Sequence, residues 1–177
     1  MSSIYKGITP FLTKNNARRT VLDTPDTELE YVGFWLRTWA AVIDTALLLV
    51  IMLPLLHLFF GAGYWESEAL IQGPLDFLLT WVLPAAAVVA FWVYRQATPG
   101  KMAIGARIVD AQTGQPASTN QLVGRYAGYY LAMIPMLVGI FWVAFDPRKQ
   151  GWHDKVAGTV VVRDRRPGSL AVRFGPK

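Results

Sequence analysis

Of the 177 residues, 53% are hydrophobic and only 16% charged, so charge cannot cover a folded surface as it does in an ordinary soluble domain. The length holds one domain and excludes a large multidomain enzyme. Seventeen Lys and Arg against twelve Asp and Glu give a net charge of +5, and the absence of cysteine excludes disulfides, thiolate metal sites and cysteine nucleophiles.

The chain opens on a polar stretch of mixed charge containing Pro25, which reads as a mobile N-terminal tail over 1–30. From Gly33 to Phe60 only Arg37 and Asp44 are charged, and Phe77–Tyr94 and Tyr126–Phe145 carry no charge. About 20 apolar helical residues cross a hydrocarbon core of about 30 Å, so each run is long enough to span a bilayer. Three such runs as buried helices of a soluble protein would leave almost no amphipathic surface. Residues 1–32 lack a short apolar region followed by a small-residue cleavage site, so the first run reads as a retained anchor and not a signal peptide. Pro54 and Pro84 mark kinks in the first two helices.

Trp35 and Trp39 at the start of the first segment, Tyr64 and Trp65 after it, and Trp92 and Tyr94 at the end of the second sit where an interfacial aromatic belt falls. Lys6, Lys14, Arg18 and Arg19 precede the first segment, whereas the loop with Glu66 and Glu68 has no basic residue. Since Lys and Arg are retained on the cytoplasmic side, the N-terminus is expected inside and that loop outside. Arg95, Lys101, Arg107 and Arg125 place the next connection inside as well, so the basic balance reads as topology and not nucleic-acid binding.

A single crossing by the third segment would put the strongly basic tail outside. Pro135 and Gly139 allow instead a re-entrant hairpin or two short tilted passes, either of which returns the tail to the cytoplasm. Arg107–Asp110 (RIVD) and Thr159–Arg163 (TVVVR) are short β-branched runs, expected to pair on that same side. Upstream of the first, Thr98, Pro99 and Gly100 break the second helix and Lys101 to Gly105 fit a turn of interfacial helix. Ser118 and Gln121 have capping-box spacing at the start of the third helical region, with Arg125 at its membrane entry.

Asp44 is the candidate ion- or proton-binding residue. It lies about 15 Å into the first helix at 1.5 Å per residue, near mid-membrane, where a carboxylate costs about 2.5–3.5 kcal/mol on insertion scales. Arg37 is about 20° away on the helical wheel but two turns nearer the N-terminus, so a third group is expected to bridge the two. His153, Asp154, Arg95 and Arg125 are candidates, and Asp154 is suited to accept from Arg37. Either Arg37 and Asp154 tune the charge of Asp44, or all three form a structural network joining the first helix to the tail. With His57 far from His153, a metal site lacks ligands, and no nucleophile with a partnered base or phosphate-cradling loop points to an enzyme or a cofactor.

Gly33–Asp44 (GFWLRTWAAVID), Thr98–Asp110 (TPGKMAIGARIVD) and Gln150–Val162 (QGWHDKVAGTVVV) together resemble the RDD family of small integral membrane proteins over about residues 31–164. The resemblance assigns the family's arginine to Arg37, its first aspartate to Asp44, and its second to Asp154, with Asp146 the other match. It implies a transport role, with exchange of Na⁺ or another monovalent cation for H⁺ in some members, or a part in larger membrane assemblies.

The expectation is an α-helical integral membrane protein of three apolar segments with a small cytoplasmic β-containing cap. Its parts are a polar cytoplasmic tail (1–30), a membrane domain (31–164) and a basic C-terminal tail (165–177). The location is the plasma membrane, or the inner membrane in a Gram-negative cell. Anionic lipid at the cytoplasmic face, a homo-oligomer or a membrane-protein partner are the expected associates. The functional expectation is cation/proton exchange at Asp44 tuned by Arg37, Asp154 and His153, and the alternative is a non-enzymatic assembly subunit in which the same residues are structural.

Overall fold

The computed structural model describes residues 29–134, 138–169 and 171–175. The N-terminal basic residues, the tail through 28, Pro25 and Pro135 lie outside the described residues.

Two helices are long and apolar enough to cross a membrane. Helix α1 (Phe34–Phe60) runs unbroken through Pro54, and its 27 residues extend about 40 Å at 1.5 Å per residue. Helix α2 (Pro74–Arg95) contains a π turn over Leu78–Val82 directly before Pro84. A proline lacks the N–H that would close the α-helical bond, and the wider turn absorbs the break. Between the helices, a 3-10 turn over Ala62–Glu66 closes the connection.

The short helix α3 (Pro99–Ala103) leads into strand β2 (Ala106–Asp110). Helix α4 (Thr119–Met133) starts at the Ser118–Gln121 capping box. Helix α5 (Val138–Phe141) tightens into a 3-10 turn at Trp142–Ala144. The axes of Thr119–Met133 and Val138–Ala144 lie 117° apart, so the described parts of the third apolar segment do not form one straight span. The chain is thereby returned to the end of the molecule where α1 begins, with the Lys149 carbonyl accepting from Arg37 Nη2 at 2.6 Å. Helix α6 (Trp152–Ala157) then packs along α4 and ends at Gly158, whose φ of 63° is the left-handed turn that glycine tolerates.

Strand β3 (Thr159–Asp164) is the centre of a three-stranded antiparallel sheet of order β1-β3-β2, where β1 is Leu29–Tyr31. The expected pairing is present, with Ile108 opposite Val161 and Val109 opposite Val160. Side chains alternate between faces, as a pleated strand requires. Ile108, Val161, Ala106 and Val32 join Trp92 and Leu122 in one core against the helices, while Val109, Val160 and Val162 form a second core under Val172 and Phe174.

Ordered contacts continue on both sides of residues 31–164. Leu29 and Glu30 belong to the sheet, where Glu30 accepts from Arg163 Nε on the neighbouring strand. The stretch after 164 folds back too: Val172 N donates to the Leu29 carbonyl at 3.0 Å, and Tyr31 donates to the Arg173 carbonyl at 3.0 Å. Residues 171–173 thus cover the edge of β1, which would otherwise expose unpaired backbone.

Candidate functional site

Arg37 lies one turn into α1 and turns back toward the sheet. Its Nε donates to the Val32 carbonyl at 3.0 Å, Nη2 to the Lys149 carbonyl, and Nη1 to Asp154 Oδ2 at 2.5 Å. Three acceptors in different directions use the fixed fork of a guanidinium, which a lysine does not offer. Asp154 is fully buried at the first turn of α6, where its Oδ2 also accepts from Gly151 N at 3.0 Å and so caps its own helix. Its other oxygen pairs with Arg125, also fully buried, which donates to Thr159 Oγ1 at 2.8 Å. One carboxylate therefore binds α1, α4 and α6 together and holds α4 to β3 through Arg125.

Burial favours the neutral acid at Asp154, but the guanidiniums of Arg125 and Arg37 outweigh it and hold the carboxyl well below the usual aspartate range. His153 stacks on Tyr129 with ring centroids 3.9 Å apart, and its Nε2 lies 3.5 Å from Asp154 Oδ2. Burial is the main cause that lowers the His153 pKa from 6.5 to about 3; Asp154 opposes it, while Arg125, Arg37 and Lys101 add to it. The imidazole is neutral at physiological pH. The Arg125 guanidinium also lies over the Trp92 ring, 5.5 Å from its centroid, and Lys101 Nζ lies 5.8 Å from it.

Asp44 is held separately. Thr98 Oγ1 donates to Oδ2 at 2.5 Å and Gly100 N to Oδ1 at 2.6 Å. Lys101 Nζ donates to Thr98 Oγ1 at 3.3 Å, so the lysine reaches Asp44 through a hydroxyl. The backbone of α3 lies directly against α1 here. A Cβ on Gly100 would overlap the Ala40 carbonyl oxygen and fall 2.9 Å from Asp44 Cγ, so glycine is required by close approach.

The structure brings Arg37, Asp154 and His153 together with Arg125, and leaves Asp44 apart. No hydrogen bond or ion pair among the described residues links Asp44 to Arg37, His153 or Asp154, so the expected bridge to Asp44 is not formed. Arg37 leans toward the helix N-terminus, as helical side chains do, and α3 fills the space beside Asp44. Asp146 does not join the cluster: it pairs with Lys155 Nζ at 2.5 Å and accepts from Arg148 N and Gln150 N at 3.1 Å. Among the described residues no three His, Cys, Asp or Glu side chains converge.

One acid is absent from the sequence reading. Asp76, buried at the other end of the molecule, accepts from Tyr64 at 2.7 Å, Thr80 at 2.8 Å and Gln72 N at 2.8 Å, and so ties the connecting loop to α2.

The sequence profile of the RDD family matches residues 31–158, which contain Arg37, Asp44 and Asp154. The chain belongs to the RDD family and is a membrane protein with apolar helices. It is 29% identical over 144 residues to the uncharacterized membrane protein YteJ of Bacillus subtilis (strain 168), a match covering 76% of this chain and 82% of that one. It is also 40% identical over 75 residues to the uncharacterized protein RP437 of Rickettsia prowazekii (strain Madrid E), covering 42% of this chain and 41% of that protein. No solved structure matches.

Two outcomes follow from this geometry. Gly100→Ala overpacks the α1–α3 contact and should destabilise the protein by about 1–3 kcal/mol or more, whereas Gly124→Ala, in α4 with nothing within 4 Å of the added carbon, should be neutral or stabilise by up to about 1 kcal/mol; thermal melts in detergent compare them. The pH dependence has a defined sign. Between the ordinary histidine value of 6.5 and about 3, the unfolded chain binds a proton that folded His153 refuses, so stability falls as pH drops through that window. His153→Phe, which retains the stack on Tyr129, should flatten the melting temperature between about pH 6.5 and 4.5, above the range in which Asp154 begins to lose its own stabilisation.

Proposed function

We propose that the protein is a non-enzymatic subunit of a membrane assembly, in which Arg37, Asp44 and Asp154 fix a helical anchor and its sheet-bearing cap in one arrangement. The observation that carries this reading is that both oxygens of both aspartates are already engaged by the protein itself. A residue that loads and releases an ion in each cycle needs an open coordination position. At Asp44 the backbone of Gly100 occupies that side. The apolar faces of α1 and α2, on which Met52 and Leu56 are among the few buried aliphatic side chains, are then the surfaces for a second copy or a partner helix.

Exchange of Na⁺ or another monovalent cation for H⁺ at Asp44 is the second reading, favoured by one feature. Both donors to Asp44 are neutral, and the nearest ammonium in its hydrogen-bonded chain, Lys101, acts through Thr98.

Reconstitution separates the readings. For the structural role, Asp154→Asn should cost about 3–5 kcal/mol, because it leaves two buried guanidiniums without their counter-charge, and Arg37→Gln and Asp44→Asn should each lower the detergent melting temperature. Wild-type proteoliposomes should show no sodium-dependent proton movement beyond that of empty vesicles. Flux that vanishes in a cooperatively melting Asp44→Asn protein would instead establish the exchanger.

Orientation follows from where the basic residues lie. Arg95, Lys101, Arg107, Lys149 and Arg163 sit at the cap end, and Glu66 and Glu68 on the connection between α1 and α2. The positive-inside rule then places the cap and both ends of the described chain in the cytoplasm, at the plasma membrane or the inner membrane of a Gram-negative cell. Since the natural chain has no cysteine, a single cysteine at Glu68 should label from outside intact cells, and one at Pro167 only after permeabilisation. The reverse pattern would invert the topology.

A further inference from the structure

Beside the start of α1 lies an open groove of about 510 Å³ whose walls are almost entirely apolar. Phe34, Trp35 and Leu36 form one side and Phe141 and Phe145 the other, with Phe34 and Phe141 in ring contact at 5.5 Å between centroids. Trp35 and Phe145 are 75% and 82% exposed, so the groove presents large aromatic surface at the same level as the polar cluster. Such a surface facing water would be costly, while facing acyl chains it is at home.

The polar side of this groove is positive. Lys149 lines it, and one donation to the Ala144 carbonyl at 3.0 Å leaves two ammonium protons free to donate. Its backbone is unusual, with φ of 53°, a region most side chains avoid. That conformation is held by Arg37, which donates to the Lys149 carbonyl, and by Lys149 N, which donates to the Asp146 carbonyl at 2.9 Å. Arg37 itself belongs to a cluster in which two guanidiniums face one carboxylate, so a surplus positive charge stands behind the groove. Gly33 offers no side-chain cap to α1, whose N-terminal dipole adds to the same sign.

We propose that this groove is a binding site for an anionic phospholipid, with an acyl chain between the aromatic walls and the phosphate at Lys149. The charge selects the headgroup and the aromatic walls select the chain, so an amphiphile carrying both fits better than a free anion or a neutral lipid. The inference rests on the membrane placement proposed above, with the groove at the interface where α1 begins, and on neither functional reading. Lipid retention in detergent reads the groove whether or not ion flux or an assembly partner is found.

The test is native mass spectrometry of the purified full chain in mild detergent, with equal phosphatidylglycerol and phosphatidylcholine of the same acyl composition. One lysine near an anionic lipid contributes about 1 kcal/mol, so retention of phosphatidylglycerol should exceed that of phosphatidylcholine by about five-fold. Lys149→Gln should abolish the preference and Lys149→Arg should keep it. Phe145→Ser should lower retention of both lipids. Arg95→Gln, which removes an exposed charge at the same end but outside the groove, should leave the preference intact. Equal retention of the two lipids by the wild type would overturn the proposal. So would a preference that survives Lys149→Gln, or one lost equally with Arg95→Gln. Melting curves in lipid-free detergent show whether each variant is folded, and the Lys149→Arg and Phe145→Ser results stand if Lys149→Gln is not.

Discussion

The carboxylate of Asp154, buried between Arg37 and Arg125, is the interaction on which the rest of the structure rests. Those residues come from the start of α1, the first half of α4 and the first turn of α6, which are far apart in sequence and meet at this carboxylate. Taking three charges out of water costs several kcal/mol per ion, and the pairing returns this only when geometry and additional hydrogen bonds are good. Here they are. Arg37 fills all three directions of its fork, and Asp154 also accepts from Gly151 N. Such a cluster contributes more to selecting one arrangement than to net stability, because any other register of α1 against α6 would leave a charge unpaired.

That selectivity matters because apolar packing alone is a poor guide in lipid. Acyl chains are as apolar as leucine, so burial does not drive helices together as it does in water. The buried positions within α1 and α2 are few, and the contacts that define helix placement are polar or backbone contacts. Asp44 fixes α3 to α1, Asp154 fixes α1 to α4 and α6, and Asp76 fixes the connecting loop to α2. Glycine completes the scheme where backbones touch. Gly100 lies on Ala40, and Gly128 brings α4 against the His153 backbone, where an added carbon would come within 3.0 Å of its Cα.

Much of this was legible in the sequence, and what was hidden has physical reasons. Charge-free runs marked the long helices, and the β-branched runs at 107–110 and 159–163 marked the two principal strands. Val160–Val162 are apolar without alternation because β3 is central and covered on both faces. Strand β1 was not visible, since Leu-Glu-Tyr has little strand character alone and is ordered by β3 and the returning tail. The affinity of Arg37 for Asp154 was apparent from their types and the need to compensate charge. The partners of Asp44 were not. Its shared face with Arg37 is a property of the isolated helix, whereas its contacts come from α3 folding back, a tertiary event without a periodic signal. Gly100 in a first helical turn, where alanine is the better helix former, is the trace that the close approach leaves in the sequence. Asp76 escaped because it sits immediately before the charge-free window that begins at Phe77.

The distribution of polar groups along the two long helices also bears on what they do in the membrane. From Ala46 to Leu56 α1 has no polar side chain, and from Val82 to Phe91 neither has α2. An ion crossing beside these segments would meet no side-chain oxygen ligand from either helix. An exchange mechanism therefore requires further helices to complete a path past Asp44, while an assembly role asks of the same surfaces only that they pack. Among the described residues the middle of α1 and α2 is little covered, and the polar contacts of Arg37, Asp44 and Asp154 lie at the end where Asp154 gathers the elements together.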